Sequence, residues 1–205
     1  MSETTKAGHW DAAYALGADS RSWYQPQATE SLEFIASTGA DSTASIVDIG
    51  GGASPLVDGL LARGFTDVTV LDLSSEGLTV ARERLGAAGE RVAWVTSDVL
   101  TWAPARTFNI WHDRAVLHFL TDDAARRAYA DQAAALVEPG GWLTIGGFAP
   151  GGPQSCSGLP VRGASGDDLA DLFAQGFSTI RTAEVVHTTP GGNAQPFAWL
   201  VARRM

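Results

Sequence analysis

The chain has 205 residues, of which 45% are hydrophobic and 18% are charged, and its formal net charge at pH 7 is -9. This composition is typical of a globular protein, excludes a fibrous or disordered one, and fits one domain with one core. Nucleic-acid binding is disfavoured because Lys6 is the only lysine and the arginines are scattered, and no apolar run approaches the roughly 18 residues that span a bilayer.

The cysteine content and the first residues favour a reducing compartment. Cys156 is the only cysteine, so no internal disulfide can form, and residues 1–6 lack the apolar core of a secretory signal. We therefore expect a cytoplasmic protein. The bias towards alanine and arginine is typical of a GC-rich bacterial coding sequence.

The first 40 residues are less regular than the rest of the chain. Two aromatic pairs, His9-Trp10 and Trp23-Tyr24, flank a polar loop, and a short helix is predicted over residues 29–37.

Beyond this segment, short β-branched runs alternate with amphipathic stretches, which predicts a βαβ fold with a mostly parallel sheet. The first strand, residues 45–49, runs into three glycines. Ser54-Pro55 then favours a helix start, with serine as the N-cap and proline at the first helical position. The second strand, residues 67–73, precedes a helix that Ser75 is expected to cap and Gly86 to end.

The second half of the chain continues this alternation and closes with two strands around a glycine-rich turn. Further strands are predicted at 91–96, 108–112 and 142–148, helices at 124–137 and 167–174, and the closing strands at 179–187 and 198–203. The closing strands should pair antiparallel. Because no repeat or low-complexity linker interrupts the pattern, we expect an α/β fold in a single domain over 1–205, with a doubly wound sheet of about seven strands and an antiparallel C-terminal hairpin.

The first predicted strand leads into Gly50-Gly51-Gly52, where a backbone without Cβ atoms lets a bulky ligand approach closely. On the glycines alone, a plain turn of an α/β fold is the alternative. Asp72 lies 22 residues after Gly50, close to the offset of about 20 at which a carboxylate reaches the ribose hydroxyls of a nucleoside. Asp48 lies in an apolar strand, where a carboxylate is costly to bury unless a turn amide or a ligand ammonium satisfies it. Pro55 argues against a dinucleotide site, which has glycine or alanine there.

Four segments in order resemble the motifs of the class I S-adenosylmethionine-dependent methyltransferases: residues 47–54, 70–74, 97–99 and 136–143. The resemblance implies a Rossmann-like fold, S-adenosylmethionine as cofactor and S-adenosylhomocysteine as product. It implies that Asp48 and the glycines hold the methionine part, that Asp72 binds the ribose, and that Asp98 and Val99 hold the adenine. In full, the residues expected at the cofactor are Trp10, Trp23, Asp48, Gly50, Gly51, Gly52, Asp72, Leu73, Asp98, Val99 and His112.

Within this family the chain is similar to the thiopurine methyltransferase-like group and to the small protein-lysine methyltransferases. Residues 9–14 and 23–24 resemble their cofactor-covering segment, so residues 1–40 are expected to cover the cofactor and acceptor, and 41–205 to form the Rossmann-like core. The stretch Trp111-His112-Asp113-Arg114-Ala115 is similar to the Trp-Asp-Arg-Gly of the first group and departs from the Asp-Lys-Gly of the second. The acceptor is therefore left open.

Candidate acid and base groups follow the fourth predicted strand, near the sheet edge at which open α/β folds bind ligands. His112, Asp113 and His118 are the candidate catalytic residues, because a neutral histidine can take a proton from a hydroxyl or ammonium acceptor. The alternative for Asp113 is an ion pair with Arg114 that only holds the loop. Positioning alone can also suffice, since a sulfonium is already a good leaving group. The spacing of the four histidines predicts no metal site.

The sequence thus predicts an enzyme that moves the methyl group of S-adenosylmethionine to a heteroatom of a small-molecule acceptor. Two alternatives stay open: a protein-lysine N-methyltransferase, and a non-catalytic module that binds S-adenosylmethionine or S-adenosylhomocysteine. Nucleic acid and membranes are not expected as partners. The sequence predicts neither the acceptor atom nor the oligomeric state.

Overall fold

The computed structural model describes residues 3–17 and 21–205. Its helices are α1 (Glu3–Ala15), α2 (Thr29–Ala36), α3 (Leu56–Ala62), α4 (Ser75–Leu85), α5 (Asp123–Leu136) and α6 (Gly166–Phe173). Its strands are β1 (Ile46–Ile49), β2 (Val68–Asp72), β3 (Val92–Thr96), β4 (Phe108–Arg114), β5 (Val137–Phe148), β6 (Ser155–Cys156), β7 (Leu159–Pro160), β8 (Phe177–Thr188) and β9 (Ala194–Arg204). Short 3-10 helices lie at Gly86–Arg91 and Leu117–Phe119.

Seven strands form one mixed sheet in the order β3-β2-β1-β4-β5-β9-β8, and β6 pairs with β7 beside it. The first five strands are parallel, whereas β9 runs antiparallel to both β5 and β8. The chain moves outward from β1 to β3 and then crosses to the other side of β1, which makes the β1–β4 boundary the topological switch point. The predicted α/β class, the doubly wound sheet of seven strands and the antiparallel C-terminal hairpin are confirmed.

Helices cover both faces of the sheet because the central strands are apolar on both sides. All four residues of β1 and all five of β2 are buried. On one face, Trp111 and Leu143 pack in a cluster with Tyr129 of α5 and Phe173 of α6. On the other face, Ile46, Val70 and Ile110 pack against apolar residues of α2 and α3. Successive side chains of a strand point to opposite faces of the sheet, so the position of a residue along its strand determines which helical layer its side chain contacts.

Three local predictions differ from the structure. The N-terminal segment is helical over Glu3–Ala15, where the sequence predicted irregular chain; the polar loop that follows includes residues 18–20, which lie outside the described residues. Ser74, and not Ser75, caps α4, because Ser74 is extended and its hydroxyl accepts a hydrogen bond from the Gly77 amide at 3.0 Å. At α3, Pro55 occupies the cap position that Ser54 was expected to hold.

A glycine in β5 permits the tightest packing between the parallel part of the sheet and the hairpin. Gly146 pairs with Trp199 of β9, and a Cβ atom on Gly146 would lie 2.6 Å from the indole ring. Trp199 is 1% exposed and stacks on Phe34 of α2 with ring centroids 4.4 Å apart. The Trp199 indole therefore has no space into which it could move away from a side chain at position 146.

We expect Gly146→Ala to lower the free energy of unfolding by about 1–3 kcal/mol, the usual cost of overpacking a tight core. Gly147→Ala is the matched control, because its new Cβ would lie at an ordinary 3.7 Å from the Cβ atom of His118. Urea denaturation followed by circular dichroism measures both variants. Equal losses in the two would show that the indole contact does not set the spacing.

Candidate functional site

A cavity of about 420 Å³ opens at the carboxyl ends of β1, β2 and β4, at the switch point of the sheet. Its wall includes Asp48, Asp72 and His112 from the strands and the side chains of Trp10 and Tyr14 from α1. Most residues that the sequence predicts for the site reach this wall, namely Trp10, Trp23, Asp48, Gly50, Gly51, Asp72, Leu73, Asp98, Val99, His112 and His118. Gly52 and Asp113 do not line it.

The glycine loop after β1 is shaped by contacts that no larger residue would allow. Gly50 and Gly52 have positive φ angles of 67° and 43°, a region that disfavours side chains. A Cβ atom on Gly51 would lie 2.5 Å from Asp48 Oδ2, and one on Gly52 would lie 1.9 Å from the Tyr14 hydroxyl. The loop therefore holds the Asp48 carboxylate on one side and Tyr14 on the other.

The carboxyl group of Asp72 is buried at the end of β2 and accepts a hydrogen bond from the Ser74 amide at 2.8 Å. Burial raises the pKa of Asp72 to about 7; the Ser74 hydrogen bond opposes this rise, and the negative charges of Asp48 and Asp11 add to it. No ion pair among the described residues joins Asp72 to a cation. The group is thus poised to accept hydrogen bonds from a ligand.

Asp48 and His112 form the closest pair of ionisable groups in the cavity wall. Asp48 Oδ1 lies 2.8 Å from His112 Nδ1, and the two residues are 4% and 1% exposed. Their contact follows from the sheet, since β1 and β4 pair with Asp48 directly opposite His112. His112 Nε2 is buried and has no hydrogen-bond partner among the described residues.

Asp113 faces away from the cavity because it follows His112 on the same strand. Its carboxyl oxygens accept hydrogen bonds from the Tyr129 hydroxyl at 2.6 Å and from the amides of Val116 and Leu117 at 2.7 and 3.0 Å. Burial raises its pKa to about 6, although the Tyr129 hydrogen bond lowers it. Asp113 therefore braces the chain after β4, and we do not retain it as a catalytic candidate.

Arg114 lines the cavity, and it does not form the ion pair with Asp113 that the sequence left open as an alternative. Its guanidinium donates a hydrogen bond to the Trp23 carbonyl oxygen at 3.1 Å and stacks over the Phe197 ring at 4.8 Å. Burial lowers its pKa to about 10, so the group stays charged at neutral pH. The charge stands next to the aromatic end of the cavity.

His118 forms part of the aromatic wall and is a poor proton acceptor. Its ring stacks on Phe148 at 4.5 Å and meets the edge of Phe119 at 4.4 Å. Burial lowers its pKa to about 3, and the charges of Arg114 and Arg126 act in the same direction. The imidazole is neutral at any physiological pH.

Helix α1 contributes Lys6, Trp10 and Tyr14 to the cavity wall and contacts residues that follow β2 and β3. The Ser74 hydroxyl donates to Asp11 Oδ1 at 2.6 Å, and Lys6 Nζ lies 3.8 Å from Asp98 Oδ2. Tyr14, which the sequence reasoning placed in the covering segment but not among the site residues, is buried over the glycine loop. The sequence does contain an indication of this position: Tyr14 follows Trp10 by four residues, so the two side chains lie on the same face of a helix.

The sequence reasoning also missed three aromatic residues of the cavity wall, Phe119, Phe148 and Phe197. They come from three separate segments, so no local pattern joins them. Among the described residues, no group of three or more metal-ligating side chains is close enough to hold an ion. No helix in this part of the chain is long and apolar enough to cross a membrane.

Comparisons with known proteins agree with this geometry. Residues 46–141 match the family described as methyltransferase domain. A protein named methyltransferase from Claviceps purpurea (strain 20.1) is 31% identical over 104 residues, which are 51% of this chain and 31% of the relative. Nodulation protein S of Rhizobium fredii is 26% identical over 95 residues, 46% of this chain and 54% of the relative. The chain thus spans about a third and about half of the length of these relatives.

Solved structures of other proteins share nearly the whole fold at low sequence identity. The N-methyltransferase NodS from Bradyrhizobium japonicum WM9, in complex with S-adenosylhomocysteine, has a TM-score of 0.74 at 16% identity, covering 97% of this chain and 98% of its own. A structure described under the conversion of a disulfide bond into a thioacetal group during echinomycin biosynthesis has a TM-score of 0.78 at 22% identity, covering 97% and 91%.

A third structure contains both a cofactor product and an acceptor. It is the 1,6-didemethyltoxoflavin-N1-methyltransferase of Burkholderia thailandensis with bound 1,6-didemethyltoxoflavin and S-adenosylhomocysteine, with a TM-score of 0.71 at 23% identity, covering 98% of this chain and 86% of its own. The chain therefore shares the fold of these solved structures, and its residues 46–141 match the family model described as methyltransferase domain.

Proposed function

We propose that this protein transfers the methyl group of S-adenosylmethionine to a heteroatom of a small-molecule acceptor and releases S-adenosylhomocysteine. The observation that carries the proposal is the cavity at the switch point, where buried Asp48 and Asp72 flank a glycine loop. A ligand with a positive sulfonium, an ammonium and ribose hydroxyls satisfies such carboxylates. A pyrophosphate would be repelled by them.

The cofactor would lie along the strand ends in the order that the resemblance implies. Asp72 would accept hydrogen bonds from the ribose, and the glycine loop with Asp48 would hold the methionine part. Asp98 would bind the adenine amino group, with Val99 and Leu73 against the ring; all three line the same cavity. The acceptor atom attacks the methyl carbon as the bond from that carbon to sulfur breaks, so the sulfonium becomes a neutral thioether.

The acceptor end favours a small molecule over a lysine side chain. Its wall combines the aromatic rings of Trp23, Phe119 and Phe148 with the charged guanidinium of Arg114. A lysine enzyme needs an acidic groove open to a protein, whereas this wall is aromatic and its charged group is an arginine. The enclosed volume of about 420 Å³ also lies within the usual range for small-molecule sites.

The remaining organisation follows the sequence prediction. We propose that residues 1–205 act as one domain, with residues 1–40 covering the cofactor and acceptor and 41–205 forming the Rossmann-like core. Contacts of α1 with Ser74 and Asp98 support the covering role. A reducing cytoplasm suits a protein with one buried cysteine, Cys156.

Incubation with methyl-labelled S-adenosylmethionine tests the activity directly. We expect label to move to at least one member of a panel of small thiols, amines and phenols, detected by chromatography and mass spectrometry. Label found only on protein in a bacterial lysate would support the lysine alternative. Tight binding of S-adenosylhomocysteine without any transfer would support the non-catalytic module.

We expect Asp72→Ala to weaken the binding of S-adenosylhomocysteine by about 1–3 kcal/mol, the usual loss for hydrogen bonds to a charged group. Asp67→Ala is the matched control, since Asp67 precedes the opposite end of β2 and pairs with Arg106 on the surface. Isothermal titration calorimetry at pH 8 measures both. An unchanged dissociation constant for Asp72→Ala would contradict the ribose assignment.

The raised pKa of Asp72 also predicts that the protein without ligand becomes less stable as the pH rises. Because the folded pKa of about 7 lies above the unfolded value of about 4, the folded state holds an extra proton between these values. The stability contributed by that proton is present below pH 4 and is lost as the pH rises through about 7.

Asp72→Asn keeps an acceptor for the Ser74 amide and removes the charge. We expect this variant, without ligand, to match the wild type near pH 4 and to exceed its unfolding free energy at pH 8 by roughly 2–4 kcal/mol, from about 1.4 kcal/mol per pKa unit. Asp41→Asn should show no such gain, because hydrogen bonds from Thr43 lower the pKa of Asp41. Denaturant titrations between pH 4 and pH 8 measure the unfolding free energies. A difference between the wild type and Asp72→Asn that stays constant over this range would show that ionisation of Asp72 does not lower the stability.

A further inference from the structure

Two histidines line the cavity, and they differ in what holds them. His118 lies among aromatic rings, and neither of its ring nitrogens has a partner among the described residues. His112 has a carboxylate 2.8 Å from Nδ1 and an unpartnered Nε2. Only His112 is therefore arranged to gain a proton with a counter-charge already in place.

The carboxylate fixes the tautomer of the imidazole. An ionised carboxylate only accepts hydrogen bonds, so the proton between Asp48 Oδ1 and His112 Nδ1 belongs to the nitrogen. A neutral ring with hydrogen on Nδ1 carries its lone pair on Nε2. That nitrogen is buried without a partner among the described residues and His112 is a lining residue of the cavity, so we infer that a ligand in the cavity is the partner for the lone pair.

The position of the pair is set by the sheet and not by a mobile loop. Asp48 and His112 stand opposite each other on β1 and β4, and both side chains are almost fully buried. Groups on adjacent strands hold their geometry better than groups on loops, which is what a proton-accepting site requires. Asp48 Oδ2 lies on the glycine-loop side, close to Gly51, so the two oxygens face different partners.

We propose that Asp48 and His112 form a proton-accepting dyad, in which Asp48 positions His112 and His112 Nε2 removes the proton from an acceptor whose nucleophilic atom is an amine nitrogen or a hydroxyl oxygen. The inference rests on the proposed methyltransferase function and specifies its acceptor class. A thiol, which ionises near neutral pH, would not need such a base.

The reaction step balances without a further reactant. The acceptor heteroatom forms a bond to the methyl carbon as the bond from that carbon to the sulfonium sulfur breaks, and the sulfur keeps the electron pair. The heteroatom proton passes to His112 Nε2. The resulting imidazolium is held by the Asp48 carboxylate and loses its proton to water after the products leave.

Nuclear magnetic resonance of protein labelled with ¹⁵N-histidine tests the dyad without any acceptor. His112→Asn identifies the His112 signals. In the ligand-free wild type at pH 8 we expect a protonated Nδ1 and an unprotonated Nε2, and in Asp48→Asn we expect this preference to be lost. Asp113→Asn, a buried neighbour on the opposite face, should leave the signals unchanged.

Two results of this measurement would overturn the dyad. One is a wild-type ring protonated on Nε2, which would show that the carboxylate does not set the tautomer. The other is an Nδ1-protonated ring that persists in Asp48→Asn. Neither result depends on whether the protein has transferase activity.

The acceptor class is tested with His112→Asn in the labelled-cofactor assay on the amines, phenols and thiols of the panel. This substitution keeps an amide N–H that can donate to Asp48 and removes the base. We expect kcat on amines or phenols to fall about 100-fold or more, the usual contribution of a general base, with the dissociation constant for S-adenosylhomocysteine changed less than about threefold.

The outcomes separate this inference from the proposed function. Turnover of thiols alone by the wild type, or an equal loss on all acceptors, would refute the base. A loss of S-adenosylhomocysteine binding that matches the loss of kcat would assign Nε2 to the cofactor instead. Failure of the wild type to bind S-adenosylhomocysteine would contradict the proposed function, while the tautomer measurement would still decide the dyad.

Discussion

Negative charge concentrated next to a glycine loop is the constraint on which this site depends. Asp48 and Asp72 lie near the carboxyl ends of neighbouring strands and are both buried, and Asp11 of α1 lies close enough to raise the pKa of Asp72 further. Backbone amides and hydroxyls satisfy part of this charge, but they bring no positive charge. A buried carboxylate without a cation is costly, so the arrangement is understandable only with a ligand that donates hydrogen bonds and carries positive charge.

The order of the strands explains why these groups meet. The crossing at β1 leaves a crevice between β1 and β4, and the register of that pair sets Asp48 opposite His112. The two residues are 64 positions apart in the chain. The pairing of β1 with β4 thus determines where the cavity lies. It also determines the partner of His112, which is the only histidine bonded to a carboxylate among the described residues.

The sequence predicted what is local. A strand that runs into glycines, and an acidic residue near the expected offset, identified the loop and Asp72, because both depend on short stretches of chain. Helix α1 was missed because its buried side chains face a cavity and contribute no regular hydrophobic period; Tyr14 packs on the glycine loop. The aromatic wall was missed because Phe119, Phe148 and Phe197 meet only after folding.

The assignment of Asp113 failed for a different reason, which lies in the length of one strand. The sequence ended the fourth strand at His112, so Asp113 was expected in a loop beside it, free to turn towards the ligand. The strand continues to Arg114. Alternation then directs Asp113 to the layer of α5, where Tyr129 donates to it, and leaves His112 with Asp48. The side chains of His112 and Asp113 therefore face opposite layers of the fold. An error of two residues in the predicted length of the strand is enough to assign both side chains to the cavity.

We expect occupation of the site to change the protonation of Asp72. With a pKa of about 7, this group is largely neutral in the slightly acidic range when the site is empty. Ribose hydroxyls that donate to the carboxylate favour its ionised form, so binding of a nucleoside and loss of a proton are thermodynamically linked. Part of the binding free energy is then consumed in ionising Asp72 below pH 7, and above pH 7 the same ionisation already lowers the stability of the empty protein. In the proposed binding mode, the residue that accepts hydrogen bonds from the ribose is therefore also the residue whose ionisation weakens the unliganded fold.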